Sequence, residues 1–237
     1  MMWQMVISGS KEYARHFISY LIFYLPVLVM NRLFSWANLT SRIIVGDGVY
    51  WRLPVEIFLV LLVMVVTSSF AIAVYHSNVT GDYRFRHDFV AFTSFKRFGI
   101  ILIYGILKGL ATIFGVIALI IPGIWINTKF AFADMIYGKT IQNKILISPT
   151  AILAESYRDT HGHFWGVFII QAIFTVTEFA YGFGMSFFTS FLFKVSLSLY
   201  EQWQGPSLVI GLLLDLILAP WMQVILTKYY LSIDAKN

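Results

Sequence analysis

Cysteine is absent from the 237-residue chain, which excludes disulfide frameworks, thiolate metal sites and cysteine nucleophiles. Charge is scarce as well. Asp, Glu, Lys and Arg supply 12% of the residues, about half of the roughly 25% that solvates a water-facing domain. Most of the outer surface must therefore meet something other than water, and lipid is the solvent that fits. No Walker loop, Ser-His-Asp set or HExxH motif occurs, so no catalytic constellation is offered and neither an enzyme nor a cofactor is expected.

What is present is apolar: 59% hydrophobic and 18% aromatic residues, with a mean hydropathy of +0.76. Lys and Arg number 17 against 12 Asp and Glu, a formal charge of +5. These cations sit between apolar stretches, where positive-inside topology and anionic head groups account for them. Nucleic acid is not an expected partner.

A helix crossing a ~30 Å hydrocarbon core needs about 20 mostly apolar residues. Five runs qualify: residues 15–34, 55–75, 98–121, 164–192 and 207–231. The run at 164–192 is long enough to tilt, or to break near Gly182-Phe183-Gly184. The first follows Lys11 and Arg15 without a small-residue cleavage site, so it reads as an uncleaved span rather than a signal peptide. Asn38-Leu39-Thr40 and Asn78-Val79-Thr80 match the glycosylation sequon, a pattern short enough to arise by chance.

The stretch from Phe98 to Tyr137 would make a helix of ~60 Å at 1.5 Å per residue, too long for one span. Pro122 lacks an N–H and Gly123 accepts unusual backbone angles, so the pair is expected to form a turn at the far interface. A fourth span then returns over 123–143. With six spans and both termini cytoplasmic, eleven Lys and Arg fall inside, four outside and two within spans, a strong positive-inside bias. The expected fold is an all-α bundle of six transmembrane helices in a single integral membrane domain.

Between the fourth and fifth spans, Ser148-Pro149 resembles a helix start. Ile152, Leu153, Ser156 and Tyr157 share one face, which predicts a short amphipathic helix on the cytoplasmic interface. Ile121-Pro122-Gly123-Ile124 is followed by Ala151-Ile152, Ser156, Thr160, Gly162 and Trp165. That pairing resembles a six-helix bacterial inner-membrane family that includes YciC-like uncharacterised proteins and the membrane domain of some glycerophosphodiester phosphodiesterases. The resemblance is strongest over 99–166. It implies fold and a bacterial cytoplasmic (inner) membrane location. It implies no reaction, because the relatives' phosphodiesterase chemistry lies in a soluble domain that no segment here is long enough to form.

Candidate functional residues follow from charge in apolar surroundings. Lys108, Glu178 and Asp215 fall in the middle third of their spans and are expected to approach one another, because a charge at mid-membrane faces inward toward a partner. Lys129 and Asp134 lie nearer the ends of the fourth span, where Lys129 has the option of snorkelling. Arg84 and Arg86 are candidates for contact with a lipid phosphate. Asp159, His161 and His163 offer too few ligands for a closed metal site and read as interfacial polar residues. Gly105 and Gly109 permit close helix approach within the monomer. These features fit a non-enzymatic membrane protein that binds lipid or a partner protein, either another membrane protein or a second copy, and supports envelope homeostasis. The alternative is a small transporter or lipid-translocating protein that uses its intramembrane charges.

Overall fold

The computed structural model describes residues 2–22, 24–29, 52–83, 95–118, 120–145 and 147–235. They form α1 (Met2–Arg15), α2 (Phe17–Val29), α3 (Arg52–Thr80), α4 (Phe95–Ala118), α5 (Ile120–Lys129), α6 (Ala133–Gln142), α7 (Pro149–His161), α8 (Phe164–Val195) and α9 (Leu197–Asp234). No strand occurs among the described residues. Four helices are long and apolar enough to cross a membrane: Ile57–Thr80, Phe95–Gly115, Phe164–Val195 and Leu213–Asp234. The described residues are helical, and these four helices are compatible with a membrane protein. Of the expected first span, α2 is a shorter apolar helix, and residues 30–34 lie outside the described residues.

Side-chain contacts fix the helix directions. On α2, Tyr20 meets Asn78 of α3 and Tyr24 meets Phe70, so these helices run antiparallel. Gly115 of α4 lies against Gly123 of α5: a Cβ at Gly115 would come within 2.8 Å of the Gly123 Cα. In a straight helix, residues eight apart are separated by ~12 Å. Further along, Tyr104 of α4 donates to Asp134 of α6 at 2.6 Å. Residue numbers rise on one side as they fall on the other, so α4 lies antiparallel to α5 and α6. Pro122 and Gly123 themselves sit within the first turn of α5, a position where proline is tolerated because its missing N–H has no intrahelical partner.

The segment expected as a continuous fourth span is divided. α5 and α6 have 10 residues each, about 15 Å apiece, with Phe130, Ala131 and Phe132 between them. The opposite departure occurs at the far end of the last two helices. α8 and α9 run 32 and 38 residues, about 48 and 57 Å, and only Ser196 separates them. α8 passes unbroken through Gly182-Phe183-Gly184, and residues 197–206, expected as a loop, are helical. The two helices are zipped antiparallel by Phe174 on Trp221 and Phe188 on Trp203.

At the other end, α1 packs across α9. Gly9 faces the Ile225 backbone, and the Trp221 indole N–H donates to Ser10. α7 begins with Ser148 accepting from the Ala151 N–H at 3.2 Å and buries Ile152, Leu153, Ser156 and Thr160. Ile152→Asp places a charge in that buried face. It is expected to reduce accumulation in membranes sharply, whereas Glu155→Gln stays near wild type. Equal effects on immunoblots would mean that the face is solvated.

Candidate functional site

The break between α5 and α6 gathers the bundle's polar groups. Its hydrogen bonds tighten to the i→i−3 pattern, with Ala131 N–H on Thr128 C=O and Ala133 N–H on Phe130 C=O. The Phe132 N–H and the Lys129 C=O are thereby released from the helical ladder. α7 receives both. Phe132 N–H donates to Ser156 Oγ at 3.2 Å and Ser156 donates to the Lys129 carbonyl at 3.0 Å, while the single Thr160 O–H is shared between that carbonyl at 3.2 Å and Ser156 C=O at 2.7 Å. Non-helical backbone in an apolar bundle persists only where side chains satisfy it in this way.

Charges at the break follow the helix dipoles. Lys129 ends α5 and Asp134 lies in the first turn of α6. Lys129 is 3% exposed, with Nζ 4.8 Å from the Tyr157 ring centre, 5.5 Å from Trp125 and 5.7 Å from Phe164. Three aromatic faces supply the attraction that water would otherwise give the ammonium.

The end of the bundle where α6 and α9 finish is ionic. Lys139 pairs with Asp234, and Glu12 pairs with Lys228 at 3.9 Å and His16 at 3.6 Å. Tyr83 donates to Glu12 and stacks on His16. Burial pushes the Asp159 carboxyl above its ordinary range; Arg158 opposes this and Asp234 adds to it.

Beside this network a groove of about 240 Å³ opens between the start of α4 and the end of α6, lined by Lys96, Arg97 and Lys144 together with isoleucines. Lys144 has φ +56°. Its N–H bonds to Ile141 C=O and the Ile145 N–H to Thr140 C=O, which is the Schellman arrangement with lysine in the place glycine usually takes. A side chain in that left-handed conformation costs roughly 1–2 kcal/mol.

Glu178 and Asp215 lie on paired helices, close enough to act on each other and on Tyr24 of α2. Lys108 is half-buried on α4, whose main packing partners are α3, α5 and α7. Arg84 and Arg86 lie outside the described residues. His161 is exposed, and His163 sits edge-on to Tyr229 at 6.2 Å. Among the described residues no three His, Asp or Glu side chains gather as a metal group.

Sequence reasoning missed the aromatic enclosure of Lys129 and the roles of Ser156 and Thr160. Trp125, one turn before Lys129, was the available signal for the first. Lys96, Arg97 and Lys144 carry no sequence signal beyond the positive-inside bias. No protein-family model matches the chain, and no curated protein or solved structure is significantly similar to it.

Proposed function

We propose that this chain is a non-enzymatic integral membrane module that binds lipid or a partner protein, another membrane protein or a second copy, and supports envelope homeostasis. Its location is the bacterial inner membrane, with six spans and both termini cytoplasmic. Membership of the six-helix group containing YciC-like proteins belongs to the same proposal and rests on the order of the two motifs. α4 and the α5–α6 pair make the hairpin of spans three and four, supported by the Gly115–Gly123 contact.

One observation carries the choice of a module over a transporter. The polar groups at the broken helix are engaged by the protein itself: Ser156 and Thr160 hold the freed backbone, and three rings cover Lys129. A substrate path would leave such groups facing a wet cavity. The nearness of Glu178 and Asp215 favours the alternative, because paired acidic groups among apolar residues are the stuff of proton relays.

Reconstitution with a trapped pH dye separates these readings. The expected result is proton leakage no greater than that of protein-free vesicles. Flux abolished by Glu178→Gln with Asp215→Asn would establish transport instead. Topology is open to direct test because the chain has no cysteine. A single Cys at Asn143 is expected to be protected from an impermeant thiol reagent in intact cells, and one at Lys194 to be labelled. Labelling at Asn143 would remove the hairpin.

A further inference from the structure

We infer that the outward face of α1 docks on the surface of an anionic bilayer, with Trp3 and Ile7 among acyl chains and Lys11 and Arg15 on lipid phosphates. The inference rests on the lipid-binding reading above and names the ligand's chemistry and its place. At about 100° per residue, the exposed residues of α1 divide into two edges. Trp3, Ala14 and Ile7 fall within about 40° of arc, and Lys11, Arg15 and Ser8 occupy about 60° further round. All six are exposed, Trp3 at 63% and Ile7 at 55%. One outward face therefore offers hydrocarbon along one edge and positive charge along the other.

The bundle fixes which way these edges point. Gly9 and Tyr13 are buried on the opposite face, and Gly9 sets the helix against Ile225 of α9. Ser10, about 20° outside the apolar edge, receives the Trp221 indole N–H at 3.0 Å. Glu12, about 40° beyond the polar edge, meets Lys228 Nζ at 3.9 Å. Along α9, Trp221 and Lys228 are separated by about 10 Å, and Lys228 is the nearer to Asp234 and the ionic end. The Trp3–Ile7 edge is thus turned toward the middle of the apolar helix Leu213–Asp234, and the Lys11–Arg15 edge toward its ionic end.

A bilayer surface has the same order, with acyl chains on one side and phosphates on the other. Tryptophan favours that boundary because its ring is apolar and its N–H is polar. Lysine and arginine beside it are drawn to anionic head groups. Glu12, the one acidic residue of α1, is engaged by Lys228, His16 and Tyr83. Water alone would leave Trp3 and Ile7 bare, and hydrocarbon alone would strand two cations. Only the boundary between the two suits both edges.

The test uses the chain's lack of cysteine. The full chain, in phosphatidylcholine vesicles, carries one fluorophore on Ala14→Cys at the apolar edge or on Ser8→Cys at the polar edge. Trace phosphatidylglycerol or phosphatidylcholine, spin-labelled on an acyl chain, quenches a fluorophore beside it. Strong quenching is expected at Ala14→Cys and weak quenching at Ser8→Cys; equal quenching at the two would overturn the proposal. At Ala14→Cys, phosphatidylglycerol is expected to quench about 10–30-fold more effectively than phosphatidylcholine, the factor two cations give beside an anionic head group. Adding Lys11→Gln with Arg15→Gln is expected to abolish that preference while quenching by phosphatidylcholine and the unfolding temperature stay unchanged. A preference that survives the double variant would overturn the proposal. No preference at Ala14→Cys, with phosphatidylglycerol still favoured in native mass spectrometry of the whole chain, would overturn the α1 surface and spare the lipid-binding reading. No preference by either method would remove both.

Discussion

Ser156→Ala is expected to lower the unfolding temperature of the detergent-solubilised protein by several degrees, while Thr150→Ala on the same helix leaves it unchanged. Ser156 is fully buried and acts twice, accepting from the Phe132 N–H and donating to the Lys129 carbonyl. Alanine leaves the Phe132 N–H without a partner, and leaves the Lys129 carbonyl only the O–H that Thr160 shares with Ser156 C=O. An orphaned buried donor costs about 1–3 kcal/mol, and each kcal/mol shifts the midpoint of a chain this size by about 2–4 °C. Thr150 is exposed and its hydroxyl meets Ser148 Oγ at 3.2 Å, so its removal falls within the usual ~0.5 kcal/mol of surface changes. Ser156→Thr keeps the hydroxyl and adds a methyl in a packed site, which separates lost hydrogen bonding from altered volume. A Ser156→Ala protein as stable as wild type would mean that the break is held by packing alone.

The same residues show what the sequence made legible. Apolar runs located the four long helices, because hydrocarbon length sets element length directly. Ser148-Pro149 announced the start of α7 for a local reason, since capping involves neighbours in sequence. The break at Phe130–Phe132 was invisible because nothing local causes it. No glycine or proline lies in the stretch, and the partners that stabilise the interruption are more than 20 residues away on α7. For the same reason the continuous helix through 197–206 was hidden: Gly205 and Pro206 read as punctuation, yet residues on both sides of them face α8. Within the candidate site, the sequence offers a position along a helix for Lys108, Glu178 and Asp215, whereas lateral neighbours lie beyond it. Equal depth brings charges together only when their helices pack, and α8 packs against α9 while α4 packs chiefly on α3, α5 and α7.

Two glycines on α4 should respond to alanine with opposite signs. At Gly109 an added Cβ meets nothing within 4 Å among the described residues. Gly109→Ala is therefore expected to be neutral or to stabilise by up to about 1 kcal/mol, the ordinary gain from restricting a helical glycine. At Gly115 the added Cβ would lie 2.8 Å from the Gly123 Cα and 2.9 Å from its nitrogen. Backbone atoms cannot rotate aside as a side chain can, so α4 and α5 must separate. Overpacking of this kind costs about 1–3 kcal/mol even where side chains can yield, and a backbone contact belongs at the upper end or beyond. At Gly105 the nearest atoms belong to the Met64 thioether, a flexible side chain, so Gly105→Ala is expected to fall between the other two. The ranking is read from unfolding temperature and from the fraction of protein extracted as a monodisperse species, with Gly115→Ala lowest and Gly109→Ala highest. If Gly115→Ala matches Gly109→Ala, α4 and α5 do not approach at that pair, and the antiparallel packing of α4 on α5 loses a close contact.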